Sequence, residues 1–325
     1  MFDKTVIITG GNSGLGYECA KAIATSMQGW NIVIAGRSKQ KISEAARRLS
    51  AIAPGSHVEA LTLDLASLKS VRNFAEEFAA QDLPPLRALV CNAGIQVVSG
   101  TTFTADGFET TFGVNHLGHF LLVNLLIKNI VAPARIIVVS SDTHDPAQKT
   151  GMPKPDYKNA DSLAFPERSM DHPQLMDDST LSKRRYTTSK LCNIYFTYEL
   201  SRRLEQHGLS TDQRLVTANA FNPGLMPGTG LARDYGPLLR IAWNYFLPIL
   251  RPIMRSFVSM NSARESGQAL ARLVLDPSLE RISSNYYSGL KEVSSSQESY
   301  DREKATELWE TSVRLVKLVQ GETLL

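Results

Sequence analysis

Cysteine is scarce in this chain, and the little there is excludes two architectures. Cys19, Cys91 and Cys192 are the only three among 325 residues. They are odd in number and show no CxxC spacing, so neither a disulfide framework nor a thiolate metal site is indicated, and a reducing, cytoplasmic setting is expected. Long apolar runs are also missing: no stretch reaches the roughly 18 to 20 uncharged residues of a membrane span. The opening MFDKTVIITGG reads as a short strand entering a glycine turn, not as an export signal. Charge of one sign is lacking too. Thirty-five Lys and Arg face 32 Asp and Glu, a formal charge of +3, too small and too evenly spread to indicate nucleic acid. His116 and His119 are spaced like a metal pair on a helix, yet no carboxylate or cysteine stands nearby in sequence, so no metal is expected. Trp30, Trp243 and Trp309 are too scattered for a stacking platform, and Glu307 to Glu310 read as a solvated helix face.

What is present is an alternation. Short β-branched runs at Thr5 to Thr9, Asn31 to Ala35, Val58 to Leu63, Ala88 to Cys91, Arg135 to Ser140 and Val216 to Asn222 read as strands. Between them, Gly16 to Met27, Lys41 to Ile52, Ser67 to Ala79 and Gly118 to Asn129 carry apolar residues at helical spacing. The pattern predicts an α/β fold with a doubly wound parallel sheet, a Rossmann fold, as one domain over 1–325. Two stretches stand outside it. Residues 145–184 carry five prolines among polar residues and read as a long insertion loop. Residues 237–260 are apolar and aromatic, with Arg240, Arg251 and Arg255 interspersed. That segment reads as a substrate lid or as a packed subdomain helix or subunit contact, and its arginines also permit contact with a membrane surface. A C-terminal helix is expected over 300–320.

Thr9-Gly10-Gly11-Asn12-Ser13-Gly14-Leu15-Gly16 follows the first strand and opens the first helix, the place where a dinucleotide pyrophosphate is held. A plain structural turn is the alternative. The second strand ends Gly36-Arg37-Ser38, without the Asp or Glu that would hold a ribose 2′-hydroxyl, whereas Arg37 suits a 2′-phosphate. This favours NADP(H). Asp64, with Leu65 beside it, ends the third strand and either caps the following helix or touches the adenine.

Tyr186 and Lys190 are four residues apart in a helical pattern, so they project from one face. A phenol titrates near pH 10 and needs a neighbouring positive charge to exchange a proton near neutrality, which Lys190 supplies. Ser141 ends a strand at the carboxyl edge of the sheet, where its hydroxyl can hold a substrate carbonyl.

In order and spacing, Thr9 to Gly16, Asn92-Ala93-Gly94, Asn115, Ser141, Tyr186 to Lys190 and Pro223-Gly224 resemble the motif set of the short-chain dehydrogenase/reductases over nearly the whole chain. The resemblance implies that Tyr186 donates a proton, Lys190 lowers its pKa and binds the nicotinamide ribose, Ser141 orients the carbonyl and Asn115 holds a relay water. It further implies that Asn92, Ala93 and Gly94 back the adenosine half, and that Pro223, Gly224 and Thr229 flank the nicotinamide. Asn115 to Phe120, Ser189 to Asn193, the insertion and the tail around Asp301 to Glu310 resemble the light-dependent protochlorophyllide oxidoreductase and retinol dehydrogenase-like branch. Against the pigment enzyme, Leu225 replaces its usual cysteine, Gly94 its alanine, and Ser141 its frequent threonine. The expectation is hydride transfer between NADPH and a carbonyl on a bulky, lipophilic small molecule. Light-dependent reduction of a tetrapyrrole double bond and a non-catalytic NADP(H) sensor or scaffold are the alternatives, and the oligomeric state stays open.

Overall fold

Successive residues of the first strand, β1 (Lys4–Thr9), serve two different cores: Val6 and Ile8 enter one hydrophobic layer and Ile7 the other. The same alternation runs through Ile32, Val33, Ile34 and Ala35, and again through Ile136, Ile137, Val138 and Val139. A sheet buried on both faces needs such near-continuous apolar strands. The computed structural model describes residues 2–168, 177–212, 214–226 and 260–325. The further strands are β2 (Trp30–Gly36), β3 (His57–Thr62), β4 (Leu86–Cys91), β5 (Ile130–Val139), β6 (Val216–Asn222), β7 (Tyr286–Ser288) and β8 (Lys291–Val293). Their order is β3-β2-β1-β4-β5-β6-β7-β8. Neighbours run parallel except β7 and β8, which are antiparallel.

Among the described residues the α-helices are α1 (Gly14–Thr25), α2 (Lys39–Ile52), α3 (Leu68–Ala79), α4 (Thr110–Phe112), α5 (Gly118–Leu126), α6 (Ala160–Ala164), α7 (Asp178–Gln206), α8 (Ala263–Leu275) and α9 (Arg302–Leu315). Buried residues of α1, α2 and α8 fill one layer, and those of α3, α5, α7 and α9 fill the other. The expected doubly wound sheet with a helical C-terminal segment is therefore present. Chain order reverses between β1 and β4, which opens a crevice at their carboxyl ends.

Three differences from the sequence reading have local causes. β7 and β8 span three residues each, too short for alternation to show. The described part of the insertion also contains helix. Within 145–184 lie α6 and the beginning of α7, which starts at Asp178 because Asp177 caps it by accepting from the Thr180 N–H at 3.0 Å. Finally, Glu307 is no solvated face: it accepts from the Tyr157 hydroxyl and from Thr311, and so ties the insertion to α9. Trp309 is 2% exposed and packs on Phe196 and Phe120, with the Arg203 guanidinium 4.6 Å from its ring centre.

Candidate active site

The turn after β1 is built for close approach. Gly10 has a φ of +67°, and a Cβ on Gly16 would come within 2.6 Å of the Gly10 carbonyl oxygen, so the start of α1 lies directly against the turn. Ser13 stands at the N-cap of α1 in extended conformation and makes no side-chain cap, and no acidic residue lies in the first turn. The Ser13 side chain thus takes none of the N–H groups of the first turn, as an anion site requires. Asn12 lies against Gly36 at the end of β2, while Leu15 is buried in the layer beneath. Arg37 is exposed immediately after β2. Ser38 caps α2 by accepting from the Lys41 N–H.

Asp64 does not cap the helix that follows it. Ser67 holds the N-cap of α3, and the Asp64 carboxylate closes its own turn by accepting from the Ala66 N–H at 3.0 Å. Leu65 is buried where its backbone meets Gly118: a Cβ on that glycine would lie 2.6 Å from the Leu65 carbonyl oxygen.

Across the crevice, the end of β4 is stitched to the end of β1. The Asn92 carboxamide donates to the Thr9 carbonyl at 2.7 Å, and the N–H groups of Asn92 and Ala93 both donate to Thr9 Oγ1 at 2.9 Å. Gly94 lets this segment pass close to the chemistry, since a Cβ there would lie 3.3 Å from Asn115 Oδ1 and 3.5 Å from Lys190 Nζ. Asn115 is fully buried in a π-helical turn, Gly113–Leu117, a distortion frequent at functional sites. Its carboxamide accepts from the Ile95 N–H at 2.8 Å and donates to the Ile95 carbonyl and to Ser189 Oγ. The side chain thus joins the loop after β4 to α7.

Tyr186 and Lys190 emerge from one face of α7, 8% and 4% exposed, with Lys190 Nζ 5.6 Å from the centre of the Tyr186 ring. Nζ donates to the Val139 carbonyl at 3.2 Å, which Asn193 Nδ2 also reaches, and Ser140 Oγ donates to the Lys190 carbonyl at 2.7 Å. These bonds fasten the middle of α7 to the end of β5, from which Ser141 follows. Burial lowers the Lys190 pKa to about 8, so the ammonium form still prevails at neutral pH. The Ser141 hydroxyl donates to Asp142 Oδ1 at 3.1 Å, and burial raises the Asp142 pKa.

A match to the short chain dehydrogenase model covers residues 4–152. The WW domain-containing oxidoreductase of Danio rerio is 36% identical over 320 residues, spanning 97% of this chain and 69% of that protein. Protochlorophyllide reductase A of Oryza sativa subsp. japonica is 38% identical over 329 residues, spanning 97% and 81%. The chain belongs to the short-chain dehydrogenase/reductase family. It is an oxidoreductase of that family, on the branch that includes the protochlorophyllide reductases. Among solved structures, an uncharacterized protein from Mycobacterium paratuberculosis superposes with a TM-score of 0.66 at 29% identity, covering 97% of this chain and 94% of that one. A blue fluorescent protein from a metagenomic library, solved in complex with NADPH, shares the fold with a TM-score of 0.60 at 22% identity, covering 89% and 98%.

Pro223 and Gly224 follow β6. The Pro223 carbonyl accepts from Asn261 Nδ2 and Ser266 Oγ, and Gly224, with a φ of +73°, donates its N–H to Asn222 Oδ1. Thr229 and the lid segment 237–260, apart from Met260, lie outside the described residues. Reading the sequence alone left Ser189, Asn193 and His119 without a part in the site. His119 accepts the Thr9 hydroxyl at Nε2 and reaches the Asn115 carbonyl at 3.3 Å through Nδ1. His116 instead joins the π-helical turn to α9 through Ser312 at 2.9 Å. The only trace in the sequence was the helical spacing that placed both on α5 and its entry.

Proposed function

We propose that this protein reduces a carbonyl on a bulky, lipophilic small molecule with NADPH, using Ser141, Tyr186 and Lys190. The observation that carries the reading is Lys190: a buried ammonium held by the Val139 carbonyl, two residues before Ser141, and beside the Tyr186 ring. Burying a charge is costly unless it is used or paired.

The uncapped start of α1, the Gly10 to Gly16 turn and the exposed Arg37 fit a dinucleotide with a 2′-phosphate, and Asn92 to Gly94, Pro223 and Gly224 line the same sheet edge. When bound, the nicotinamide supplies the hydride. The chain supplies the proton. The Tyr186 hydroxyl gives its proton to the carbonyl oxygen, and the Lys190 ammonium stabilises the phenolate left behind. Ser141 Oγ turns from Asp142 to donate to the same oxygen and set its orientation. The apolar Leu225, directly after the Pro223-Gly224 pair, has no proton to give, which supports carbonyl chemistry over reduction of a ring double bond.

The test is loss of NADPH absorbance with lipophilic aldehydes and ketones in the dark and with protochlorophyllide under illumination, with Tyr186→Phe alongside. Dark turnover of carbonyls that falls by about 100-fold or more in the variant is expected. Turnover of the pigment alone, in light, would replace this reading, as would full carbonyl turnover by Tyr186→Phe.

A further inference from the structure

Beyond Ser141 the chain turns through the short helical segment Asp142–His144, and His144 at its end is 1% exposed although the chemistry above does not use it. Its ring is held from two sides. Nε2 lies 3.0 Å from the backbone nitrogen of Ser296, a group that can only donate, so Nε2 carries no proton. Nδ1 lies 2.6 Å from the Ser141 carbonyl oxygen, a group that can only accept, so Nδ1 carries one. The two bonds select one neutral tautomer, and burial lowers the imidazole pKa in the same sense. Tyr286 on β7 meets the ring edge-on, with centres 5.1 Å apart, and prevents it from turning away.

We propose that His144 is a positioning residue that locks the main chain of Ser141 to Ser296, beyond the β7–β8 hairpin, and thereby aims the Ser141 hydroxyl. The inference rests on the reading of Ser141 as the group that orients the carbonyl. The bonds of the Ser141 hydroxyl itself, to Asp142 Oδ1 and from the Thr143 N–H, lie within the same turn and move with it. His144 ties that turn to a segment 152 residues away in the chain. A hydroxyl displaced by about 1 Å from its productive place can lose about 100-fold in rate.

The experiment has two arms on the full-length protein. In the first, long-range proton–nitrogen correlation spectra of the wild-type imidazoles should show His144 neutral and protonated at Nδ1. A proton on Nε2 would overturn the bridge. In the second, kcat with NADPH and decanal as the probe is measured for His144→Gln, Ser141→Ala and the double variant. Glutamine can still reach Ser296 but takes the ring N–H from the Ser141 carbonyl, which keeps only the backbone N–H of residue 144 at 3.2 Å. His144→Gln should lower kcat about 10- to 100-fold, with the KM for NADPH unchanged. Added to Ser141→Ala it should cost nothing further, because its effect passes through that hydroxyl. Losses that multiply in the double variant, or a wild-type kcat in His144→Gln, would overturn the proposal. Should His144→Gln fail to fold, His144→Asn takes its place in the cycle with the same expectation. A wild-type protein that turns over no carbonyl while keeping the Nδ1 proton would overturn the proposed function and leave the bridge standing.

Discussion

Thr9 and His119 meet at the point where the strand order reverses, with Thr9 Oγ1 2.9 Å from His119 Nε2. The threonine oxygen already accepts from the N–H groups of Asn92 and Ala93, so its own proton has two acceptors in reach, the imidazole Nε2 and, farther off at 3.3 Å, the Val90 carbonyl. Burial, with the nearby Lys190 charge adding to it, lowers the His119 pKa to about 4 and keeps the ring neutral. Thr9→Val keeps the shape and removes the acceptor, leaving the Ala93 N–H without its partner at about 1 to 3 kcal/mol, while the Asn92 N–H keeps the Val90 carbonyl at 3.0 Å. We expect a clear drop in the urea unfolding midpoint and weaker NADPH binding by fluorescence titration, both restored by Thr9→Ser. An unchanged midpoint in Thr9→Val would show that the Ala93 N–H finds another acceptor.

Lys190 costs the fold something for its place in the site. Its folded pKa is about 8 against an ordinary 10.5, so between those values the unfolded chain binds more protons. Stability from this residue is therefore regained as pH rises through that window, and the penalty is in full force below about pH 8. Lys190→Met should lose carbonyl turnover and yet unfold no more easily than the cofactor-free wild type near pH 7. The gap between the two should close toward pH 10, as read from urea midpoints at both pH values.

Arg37 is exposed at the end of β2, with no acidic side chain at that position to hold a ribose hydroxyl. A charge-assisted bond to a 2′-phosphate contributes about 1.5 to 3 kcal/mol, or about 10- to 100-fold. Arg37→Ala should reduce the preference for NADPH over NADH by that factor through KM, with kcat for NADPH little changed. Equal kcat/KM ratios in variant and wild type would assign the phosphate to other residues.

Trp309 is the anchor of α9, stacked on Phe196 and edge-on to Phe120 with ring centres 4.9 Å apart. Trp309→Ala should lower unfolding free energy by about 3 to 5 kcal/mol. It should also expose the C-terminal segment to limited proteolysis before the rest of the chain. Cleavage there at the wild-type rate would mean that Glu307 and Ser312 suffice to dock the helix.

Much of the site was legible because its signals are local. The glycine turn after β1 and the Tyr186–Lys190 pair each lie within a few residues, where one turn of backbone geometry decides which side chains share a face. Ser141 was legible for the same reason, as the end of an apolar strand. For Asp64 the sequence left a helix cap and an adenine contact both open, and Ser67, closer to the first turn, takes the cap. His144 escaped because its partner Ser296 is remote in the chain, although a histidine three residues after the strand-end serine was a usable signal. Glu307 escaped likewise: it read as part of a solvated helix face, and its partner Tyr157 lies 150 residues away in the insertion.

From sequence alone came the strand and helix alternation, the family motifs and the pairing of phenol with ammonium, since these depend on periodicity and spacing within single elements. The tertiary structure decided which distant groups hold them in place: His119 between Thr9 and Asn115, His144 between Ser141 and Ser296, and Val139 against Lys190. Buried hydrogen bonds of this kind join elements far apart in the chain, and a donor cannot be matched to its acceptor until packing has brought both out of water.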